Sequence, residues 1–480
     1  MSPRILALLA ICGGVFLAFL DTTIVNTSFP DIRRGFEDAS PAELSWILDG
    51  YFIVLAALLV PAGGLADRLG RRRVFLGGVA LFVVTSLLCA VAPTWQLLVV
   101  ARVLQGVGAA IAVPASLALL LPLFPPERRA AGVGIWGAAA ALAAAIGPPL
   151  GGVLVEVADW RWIFLVNLPL GALVLLAGVR GLQESRDPAA TGLPDLLGSA
   201  LAAASLGLLA LGLVQGNAWG WGSAGTLGSF AGAAVLLAAV VARCVSHPRP
   251  IVDLALLRIP SFRHGTLGTL LFAAAFFSMI LGNILFLTGV WGYSVLDAGL
   301  AVAPGPLASA IVAGPAGGLA DRFGHRAVIV PGALVYAAGL VVLRSAGLEP
   351  DYLGTWLPGQ VLVGIGIGLA FPTLGAAAAA DIPPERFGVA SAVTGAGRQL
   401  GAVLGTALLI AIVGEPETVV AAADVADDAY VFGIGAALLS GAVALRLAPR
   451  ASAPAASSPS LPGTVAGPAA APAAAPPPSA

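Results

Sequence analysis

The sequence predicts an all-α integral membrane protein with fourteen transmembrane helices, arranged as two repeated six-helix halves and an inserted pair of helices. Three observations predict this fold class: an apolar composition, apolar runs of membrane-spanning length, and an internal repeat. Hydrophobic residues make up 59% of the 480 residues and charged residues only 10%, whereas soluble domains carry about 25% charged residues. The mean hydropathy of +0.97 is likewise typical of a membrane protein. This composition excludes an ordinary soluble domain.

Apolar runs of about 20 residues, the length that crosses a bilayer, occur fourteen times along the chain. Proline is tolerated inside such runs where neighbouring helices satisfy the backbone, so Pro304, Pro306 and Pro315 do not exclude a tenth span. We number the predicted spans 1 to 14 in chain order. They cover residues 5–30, 46–66, 74–93, 96–121, 130–155, 163–181, 193–214, 225–245, 264–287, 298–320, 328–346, 354–380, 387–413 and 429–448.

The chain repeats itself in the same order in its two halves. The octapeptide Pro-Ala-Gly-Gly-Leu-Ala-Asp-Arg occurs at 61–68 and again at 315–322, and Pro-Pro-Glu-Arg at 125–128 returns at 383–386. Such a repeat indicates duplication, and its equally charged loops place both halves the same way up in the membrane. Spans 2, 4 and 5 pair with spans 10, 12 and 13, which leaves spans 7 and 8 as an insertion.

The repeat therefore predicts four segments. They are a first six-helix half at 1–182, two inserted helices at 183–246, a second six-helix half at 247–448, and a disordered cytoplasmic tail at 449–480. The tail is assigned on composition, because it consists almost entirely of Ala, Pro and Ser.

Arginine supplies all 24 basic residues and indicates the orientation. If both termini are cytoplasmic, 18 arginines fall on the cytoplasmic side, four fall outside, and Arg102 and Arg398 lie within the membrane. Because basic loops remain in the cytoplasm, this orientation is strongly favoured. The predicted outer loop at 414–428 carries five acidic residues instead.

Two predicted intramembrane charges are candidates for proton coupling. At 1.5 Å per residue, Asp21 lies about 13 Å from the outer end of span 1 and Arg102 about 10 Å from that of span 4, so the two can meet. A buried charge is costly and usually functional. Asp21 either exchanges a proton under the influence of Arg102 or forms a static ion pair with it. Asp49 and Asp297 are expected near enough to water to be ordinary surface acids.

A central cavity has few polar side chains available to it. This lining suits a lipophilic or amphipathic compound better than a sugar, which needs many hydrogen-bonding groups. Each aromatic candidate has the alternative of facing lipid or core, and Arg398 has the alternative of a packing role through backbone carbonyls. The candidates are Asn26, Tyr51, Gln105, Trp136, Asn283, Phe371, Arg398 and Gln399.

The loop between spans 2 and 3 is a candidate gate. Asp67 is expected to face the N-terminus of span 13, near residues 384–388, where the helix dipole favours a negative charge. The glycines are expected to permit close backbone approach and a sharp turn, and the alternative role for the arginines is that of topology signals alone. The gating candidates are Gly64, Asp67, Arg68, Gly70, Arg71 and Arg72, with Asp321 and Arg322 in the second copy.

A glycine motif in span 5 predicts tight helix packing. Gly147, Gly151 and Gly152 can let this helix press on a helix of the second half, with Pro148 bending it. A packing role without any part in transport is the alternative.

Five motifs carry a family resemblance. They are Leu20-Asp21-Thr22-Thr23-Ile24-Val25-Asn26…Pro30, Gly64-Leu65-Ala66-Asp67-Arg68…Gly70-Arg71-Arg72, Arg102…Gln105-Gly106…Gly108, Gly147-Pro148-Pro149-Leu150-Gly151-Gly152 and Trp160-Arg161-Trp162-Ile163-Phe164…Asn167. As an ordered set they resemble the major facilitator superfamily, and in particular its fourteen-helix drug:proton antiporter family. Two departures are Ser28-Phe29, where that family usually shows Ala-Leu, and the second-half copy of the span 5 motif, reduced to Gly405-Thr406.

The resemblance implies a proton-coupled exporter of lipophilic or amphipathic small molecules, such as drugs or antibiotics, that works by alternating access without a cofactor. Its implied partners are the small-molecule substrate, protons and the lipid bilayer, with no nucleic acid, and its implied state is a monomer in a bacterial plasma membrane. An exporter of an endogenous metabolite, siderophore or lipid has the same sequence features. A solute:proton symporter shares the loop motif but normally lacks the span 5 motif.

An enzyme or a metal site is not expected. The histidines His247, His264 and His325 lie on or near predicted cytoplasmic loops, without the spacing of metal ligands or of a nucleophile and its base. The three cysteines have no paired spacing either.

Overall fold

The computed structural model describes residues 2–125, 129–186, 195–248, 250–382, 387–413 and 419–447. Across these residues the regular structure is helical, and no strand is present. The α-helices are α1 (Pro3–Thr27), α2 (Phe29–Arg34), α3 (Pro41–Leu69), α4 (Arg71–Ala90), α5 (Trp95–Leu120), α6 (Arg129–Val157), α7 (Trp162–Leu165), α8 (Asn167–Gly181), α9 (Leu196–Trp219), α10 (Ala224–Ser246), α11 (Pro260–Gly289), α12 (Val295–Val302), α13 (Pro304–Phe323), α14 (Arg326–Arg344), α15 (Leu357–Ala379), α16 (Phe387–Val413) and α17 (Val419–Ala444).

Within the described part of the chain, fourteen helical segments are long and apolar enough to cross a membrane. The predicted all-α fold with fourteen spans is confirmed. Span 6 consists of α7 and α8, and span 10 consists of α12 and α13, which are separated just before Pro304. A one-turn π-helix at Tyr352–Trp356 precedes α15 in span 12. The short helix α2 lies between spans 1 and 2.

Local chemistry sets the start of span 2. The Ser40 side chain accepts from the Glu43 N–H, and the Glu43 carboxylate accepts from the Ser40 N–H, which forms a capping box. Pro41 occupies the first turn, where its missing N–H costs nothing. The helix therefore begins at Pro41, five residues before the predicted start of span 2.

The repeated loops adopt matching conformations. Gly70 and Gly324 end the two copies with φ values of +115° and +88°, a region that only glycine enters easily. Equivalent glycines also pack equivalently: Gly108 of α5 faces the backbone of α4 at Phe82, and Gly366 of α15 faces the backbone of α14 at Tyr336. These paired turns and close approaches agree with the duplication that the sequence predicts.

The inserted helices α9 and α10 form a pair that is attached to the rest of the molecule through α9, which packs on α3 and α16. Arg243 Nε donates to Asp195 Oδ1 at 2.6 Å, joining the end of α10 to the start of α9. Burial disfavours the charge of Asp195, but the Gly198 N–H and Arg243 hold the pKa of this carboxyl below its usual value. At the other end of α9, the Asn217 amide donates to the Ala411 carbonyl at 2.5 Å.

The two halves meet mainly where α3 packs on α16, α6 packs on α12 and α13, and α1 packs on α11 and α12. The α6–α12 contact lies at the end of the molecule that carries the loops at 35–40 and 158–161. We call this end the outer face, following the orientation predicted from the arginines.

The structure corrects one predicted loop, and some other predicted segments lie outside the described residues. The outer loop predicted at 414–428 is wrong over 419–428, because α17 begins at Val419 and includes three of the five acids. The alanine-rich segment favours a helix, and Asp427 of this helix pairs with Arg344 at 3.2 Å. Residues 383–386, 414–418 and the predicted tail at 449–480 lie outside the described residues.

Candidate functional site

Asp21 and Arg102 form an ion pair inside the first half. Arg102 Nη1 lies 2.5 Å from Asp21 Oδ2, and the two residues are 1% and 0% exposed. Asp21 belongs to α1 and Arg102 to α5, so the pair joins spans 1 and 4. The structure therefore brings the two predicted proton-coupling residues together at membrane depth.

Three further polar side chains complete a buried cluster around this pair. The amide of Gln105 donates to Asp21 Oδ1 at 2.9 Å and to the Ser86 hydroxyl at 2.7 Å. The amide of Asn167 donates to the same carboxylate oxygen at 3.0 Å. All five side chains are buried, and they come from α1, α4, α5 and α8. Both carboxylate oxygens thus accept hydrogen bonds from side chains of the cluster.

Aromatic rings close the cluster on the side of Arg102. The guanidinium carbon lies 4.3 Å from the ring centroid of Tyr51 and 5.8 Å from that of Phe164, distances typical of cation–π contacts. Arg102 Nε also donates to the Ile47 carbonyl at 3.1 Å. Tyr51 and Gln105, predicted as cavity residues, instead belong to this enclosed cluster, so their assignment to a substrate cavity is not supported by their placement.

The other predicted cavity residues are spread over both halves. Arg398, on α16, is half-buried with its guanidinium 5.4 Å from the ring of Phe19 on α1. This contact crosses between the halves at mid-membrane depth. Gln399, the next residue, is buried. Arg398 is therefore the charged candidate that lies at a contact between the halves.

The remaining candidates make local contacts. Asn26 is buried and donates to the Thr22 carbonyl at 2.8 Å, and Trp136 donates to the Ser116 hydroxyl at 2.9 Å. Asn283 accepts from the Tyr430 hydroxyl at 2.9 Å inside the second half. Phe371 is half-buried beside Phe272 and Phe276. These four residues are not gathered at one place.

The loop between α3 and α4 is attached to the end of α8. Asp67 accepts from Arg71 Nε at 2.8 Å, while the contact predicted for Asp67 near 384–388 falls on residues whose side chains lie outside the description. Glu184, which the sequence reading missed, accepts from the backbone N–H groups of Arg72 and Arg73 at 3.1 and 3.3 Å. It thereby caps α4, whose Gly70 has no side chain for that purpose.

Basic side chains surround this loop. Arg72 donates to the Val179 carbonyl at 2.9 Å, and Arg68 lines a cavity of about 440 Å³ together with Arg73 and Arg186. Nothing in the described residues lies within 4 Å of a Cβ built on Gly64. The close approach predicted for Gly64 is therefore not made by those residues.

The second copy of the loop is more open. Asp321 and Arg322 are exposed, and Arg322 lies over the ring of Phe323 at 5.0 Å. Among the described residues, Asp321 forms no ion pair within 4 Å. His325 follows, and its burial lowers its pKa although Asp321 and Asp381 act in the opposite direction. The two copies therefore share a backbone turn but differ in their side-chain contacts.

The glycine motif of α6 packs against two helices. A Cβ built on Gly147 would overlap Thr23, and one on Gly151 would lie 2.9 Å from Ile24, both on α1. A Cβ on Gly152 would overlap the backbone of Leu296 on α12, where Gly299 in turn lies against the Pro148 carbonyl. The contact with a second-half helix is thus made by Gly152 and Pro148, while Gly147 and Gly151 contact the first half.

The expectation for Asp49 is wrong. This residue is fully buried, not a surface acid, because α3 begins at Pro41 and places Asp49 eight residues inside the helix. Asp297 is exposed, as expected, and lies in the first turn of α12.

The fold and the buried site define a membrane transporter built from two related halves. The model of the Major Facilitator Superfamily matches residues 11–250 and 266–476. The chain therefore belongs to the Major Facilitator Superfamily.

Curated relatives are named for drug resistance and export. The chain is 37% identical over 414 residues to the multidrug resistance protein Stp of Mycobacterium tuberculosis, covering 85% of this chain and 75% of that protein. It is 35% identical over 405 residues to the tetracenomycin C resistance and export protein of Streptomyces glaucescens, covering 84% and 74%. A solved bacterial homologue of the human lysosomal transporter Spinster matches with a TM-score of 0.65 and 17% identity, over 93% of this chain and 98% of that one. This last likeness shows the fold alone.

Proposed function

We propose that this protein is a proton-coupled secondary exporter of lipophilic or amphipathic small molecules, drugs or antibiotics among them, that works by alternating access. The observation that carries the proposal is the sealed Asp21–Arg102 pair. Drug:proton antiport needs a titratable group inside the membrane, and this cluster holds a carboxylate at that depth with a cation and two amides in contact with it. The names of the two bacterial relatives support the substrate class.

In this proposal the Asp21 cluster acts on the substrate indirectly. Asp21 is enclosed within the first half, so a substrate between the halves does not touch it. Protonation removes the charge that Arg102 pairs with, which changes the contacts of Arg102 with Ile47 and Tyr51 of α3. Because α3 also packs on α16 of the second half, the change reaches the interface. Proton and substrate then compete through conformation.

We infer the substrate class from candidate side chains that lie near the contact between the halves. Arg398 with Phe19 and the aromatic group at Phe371 offer one cation and several rings, a mostly apolar lining with few polar groups. An apolar compound with an anionic or hydrogen-bonding group fits this lining better than a sugar does.

Export of an endogenous metabolite is the second candidate. It is favoured by the name of the Streptomyces relative, which combines resistance with export. A siderophore or lipid would belong to the same class of cargo. A solute:proton symporter is less well supported, because the chain carries the glycine motif of span 5, which symporters normally lack.

The proposal includes the setting of the protein. We place it in a bacterial plasma membrane as a monomer, with both termini cytoplasmic, because most arginines then lie on the cytoplasmic side. Its partners are the substrate, protons and the bilayer, with no nucleic acid. It carries out no chemical conversion and uses no cofactor, since a proton gradient drives it.

A transport panel tests the function. The purified protein is reconstituted into liposomes with an imposed pH gradient, and dyes, antibiotics and products of the host are screened for gradient-driven movement. Accumulation of lipophilic compounds that ends when the gradient is collapsed with an ionophore is expected. Movement that persists without the gradient, or is confined to hydrophilic solutes, would contradict the proposal.

A further inference from the structure

Asp49 is a buried acid that the proposed function does not use. It lies about 12 Å below the outer end of α3, by a rise of 1.5 Å per residue, and is 0% exposed. Neither carboxylate oxygen has a hydrogen-bond partner among the described residues. The Ser45 hydroxyl lies nearby, one helical turn earlier, but it donates to the Ala42 carbonyl.

The face of α3 that carries Asp49 meets the second half. Residues at spacings of three, seven and ten share a helix face, so Asp49, Phe52 and Leu59 lie on one stripe. The Phe52 ring packs on Phe277 of α11 at 5.1 Å, and Leu59 packs beside Gly395 of α16. Asp49 therefore lies where the two halves come together, on the outer side of these contacts.

No counter-charge compensates Asp49 among the described residues. Arg102 of α5 contacts the opposite face of α3, at Ile47 and Tyr51, and is paired with Asp21. Helix α9 has no titratable residue. The other titratable groups on packed helices are Arg398 of α16, which lies over Phe19, Arg263 and His264 in the first turns of α11, and Arg71, Arg72, Arg73 and Cys89 of α4.

A buried carboxylate with no cation beside it, and with one nearby hydroxyl that already donates to a backbone carbonyl, is strongly disfavoured and takes up a proton instead. Water can satisfy the same carboxylate when the halves part at their outer ends and the Phe52–Phe277 contact opens. The cost of burying the charge is therefore linked to closure of the outer side.

We propose that Asp49 is a second proton-binding site, which takes up a proton from the outer side when the two halves close around it. This deepens the proposed function and rests on it, because the step matters only in a proton-driven cycle. Acidification of the outer side then favours the outer-closed state. Uptake of one proton on closure changes the ratio of closed to open molecules by about tenfold per pH unit.

Distance measurements between the outer loops test this proposal without requiring transport. Spin labels are placed at Glu37→Cys in the first half and Glu349→Cys in the second, both exposed positions. The background carries Cys12→Ser, because the other two cysteines are buried. Electron resonance distances are recorded in lipid nanodiscs from mildly acidic to mildly alkaline pH.

In the parent protein, we expect the fraction of molecules with a short distance between the two labels, which reports the outer-closed state, to increase as the pH falls. Asp49→Asn should hold the short distance at every pH, and Asp49→Leu should do the same if the amide variant is poorly produced. Asp49→Glu should restore the pH dependence. Asp38→Asn is the matched control, since Asp38 is an exposed acid on the same outer loop, and it should behave like the parent.

Retention of the parent pH profile by Asp49→Asn and Asp49→Leu would overturn the proposal. That result is distinct from a failure of the proposed function. If the protein proves not to be driven by protons while Asp49 still controls closure, only the proposed function fails. If the parent protein transports substrate with the pH gradient but outer closure of Asp49→Asn keeps the parent's pH dependence, only the proposal for Asp49 is wrong.

Discussion

Asp21 accepts hydrogen bonds from three side chains on two other helices, and its carboxylate is the centre of the buried cluster. Such full pairing fits the two roles left open by the sequence, a titrating acid in its ionised state or a static link between α1 and α5. The two roles differ in what removal of the cation does. If Asp21 titrates during transport, removal of Arg102 changes the pH dependence of transport. If the pair is a static link, removal of Arg102 only lowers the stability of the fold.

Arg102→Ala should move the pH profile of efflux toward higher pH. Loss of the adjacent positive charge makes the Asp21 carboxylate easier to protonate. The profile is measured as initial efflux rate against pH in reconstituted liposomes. Arg102→Gln, which keeps a donor but no charge, should shift the profile in the same direction, and Arg161→Ala at the exposed outer pair with Asp159 should not. An unmoved profile in both Arg102 variants would favour the static link.

Depth along a helix could be read from the sequence, but the direction in which a side chain points could not. The fixed rise per residue placed Asp21 and Arg102 at similar depths, and the structure joins them. Ser86 and the cluster contact of Asn167 were missed because nearly uniform apolar spans do not indicate which side faces a neighbour. Asp49 was misplaced because span 2 was started too late, although the Ser40–Glu43 capping box marks its true beginning.

Helix α6 of the first half packs against α12 of the second half at the outer face. Its glycine motif lies between α1 and α12, with Gly152 against Leu296 and Gly147 against Thr23. The sequence indicated a close contact with the second half, but it could not divide the motif between two neighbours. That division depends on the angular position of each glycine on the helix.

Gly152→Ala should reduce transport at least several-fold while leaving the protein in the membrane. The added methyl group would overlap the Leu296 backbone, so α6 and α12 must move apart and the outer contact loosens. Efflux is measured beside the amount of folded protein by size-exclusion chromatography. Gly137→Ala is the matched control on the same helix, since nothing described lies within 4 Å of its added Cβ. Equal effects of the two changes would contradict this account of α6.

Asp67→Asn should impair transport more than Asp321→Asn does. Asp67 in the last turn of α3 pairs with Arg71 in the first turn of α4, and Glu184 links this junction to the end of α8. Asp321 is exposed and forms no ion pair among the described residues. Efflux rates are compared at equal surface expression. Equal and mild losses would indicate that the two loops serve only as topology signals.

The whole molecule belongs to the Major Facilitator Superfamily, and its sequence repeat predicts two halves with two helices inserted between them. The repeat, the fourteen spans and the matching glycine turns at Gly70 and Gly324 could all be predicted or anticipated from the sequence. The packing of the inserted pair on α3 and α16 could not be predicted, because spans 7 and 8 carry no sequence motif that indicates which helices they contact. The Asp195–Arg243 pair joins the two inserted helices to each other, and the Asn217 contact with Ala411 joins α9 to α16.

The topology of the inserted pair can be tested directly. Single cysteines placed between residues 246 and 262 should be labelled only from the cytoplasmic side, and cysteines at 414–418 only from outside. This is expected because α9 and α10 are both long and apolar enough to cross a membrane, and two crossings return the chain to the side it left. Labelling of 246–262 from outside would remove one span from the count.

The central claim is that Asp21 carries the proton that drives uphill export, and its most direct test is efflux by Asp21→Asn in liposomes with an imposed pH gradient. The same preparation is assayed for downhill exchange of the substrate, with Asp159→Asn as an exposed-acid control. We expect Asp21→Asn to lose the accumulation of substrate against its own concentration gradient, while downhill exchange of the substrate continues. The reason is that the amide keeps the shape of the site but cannot exchange a proton as a carboxyl group does. Accumulation by Asp21→Asn equal to that of the parent would contradict the claim.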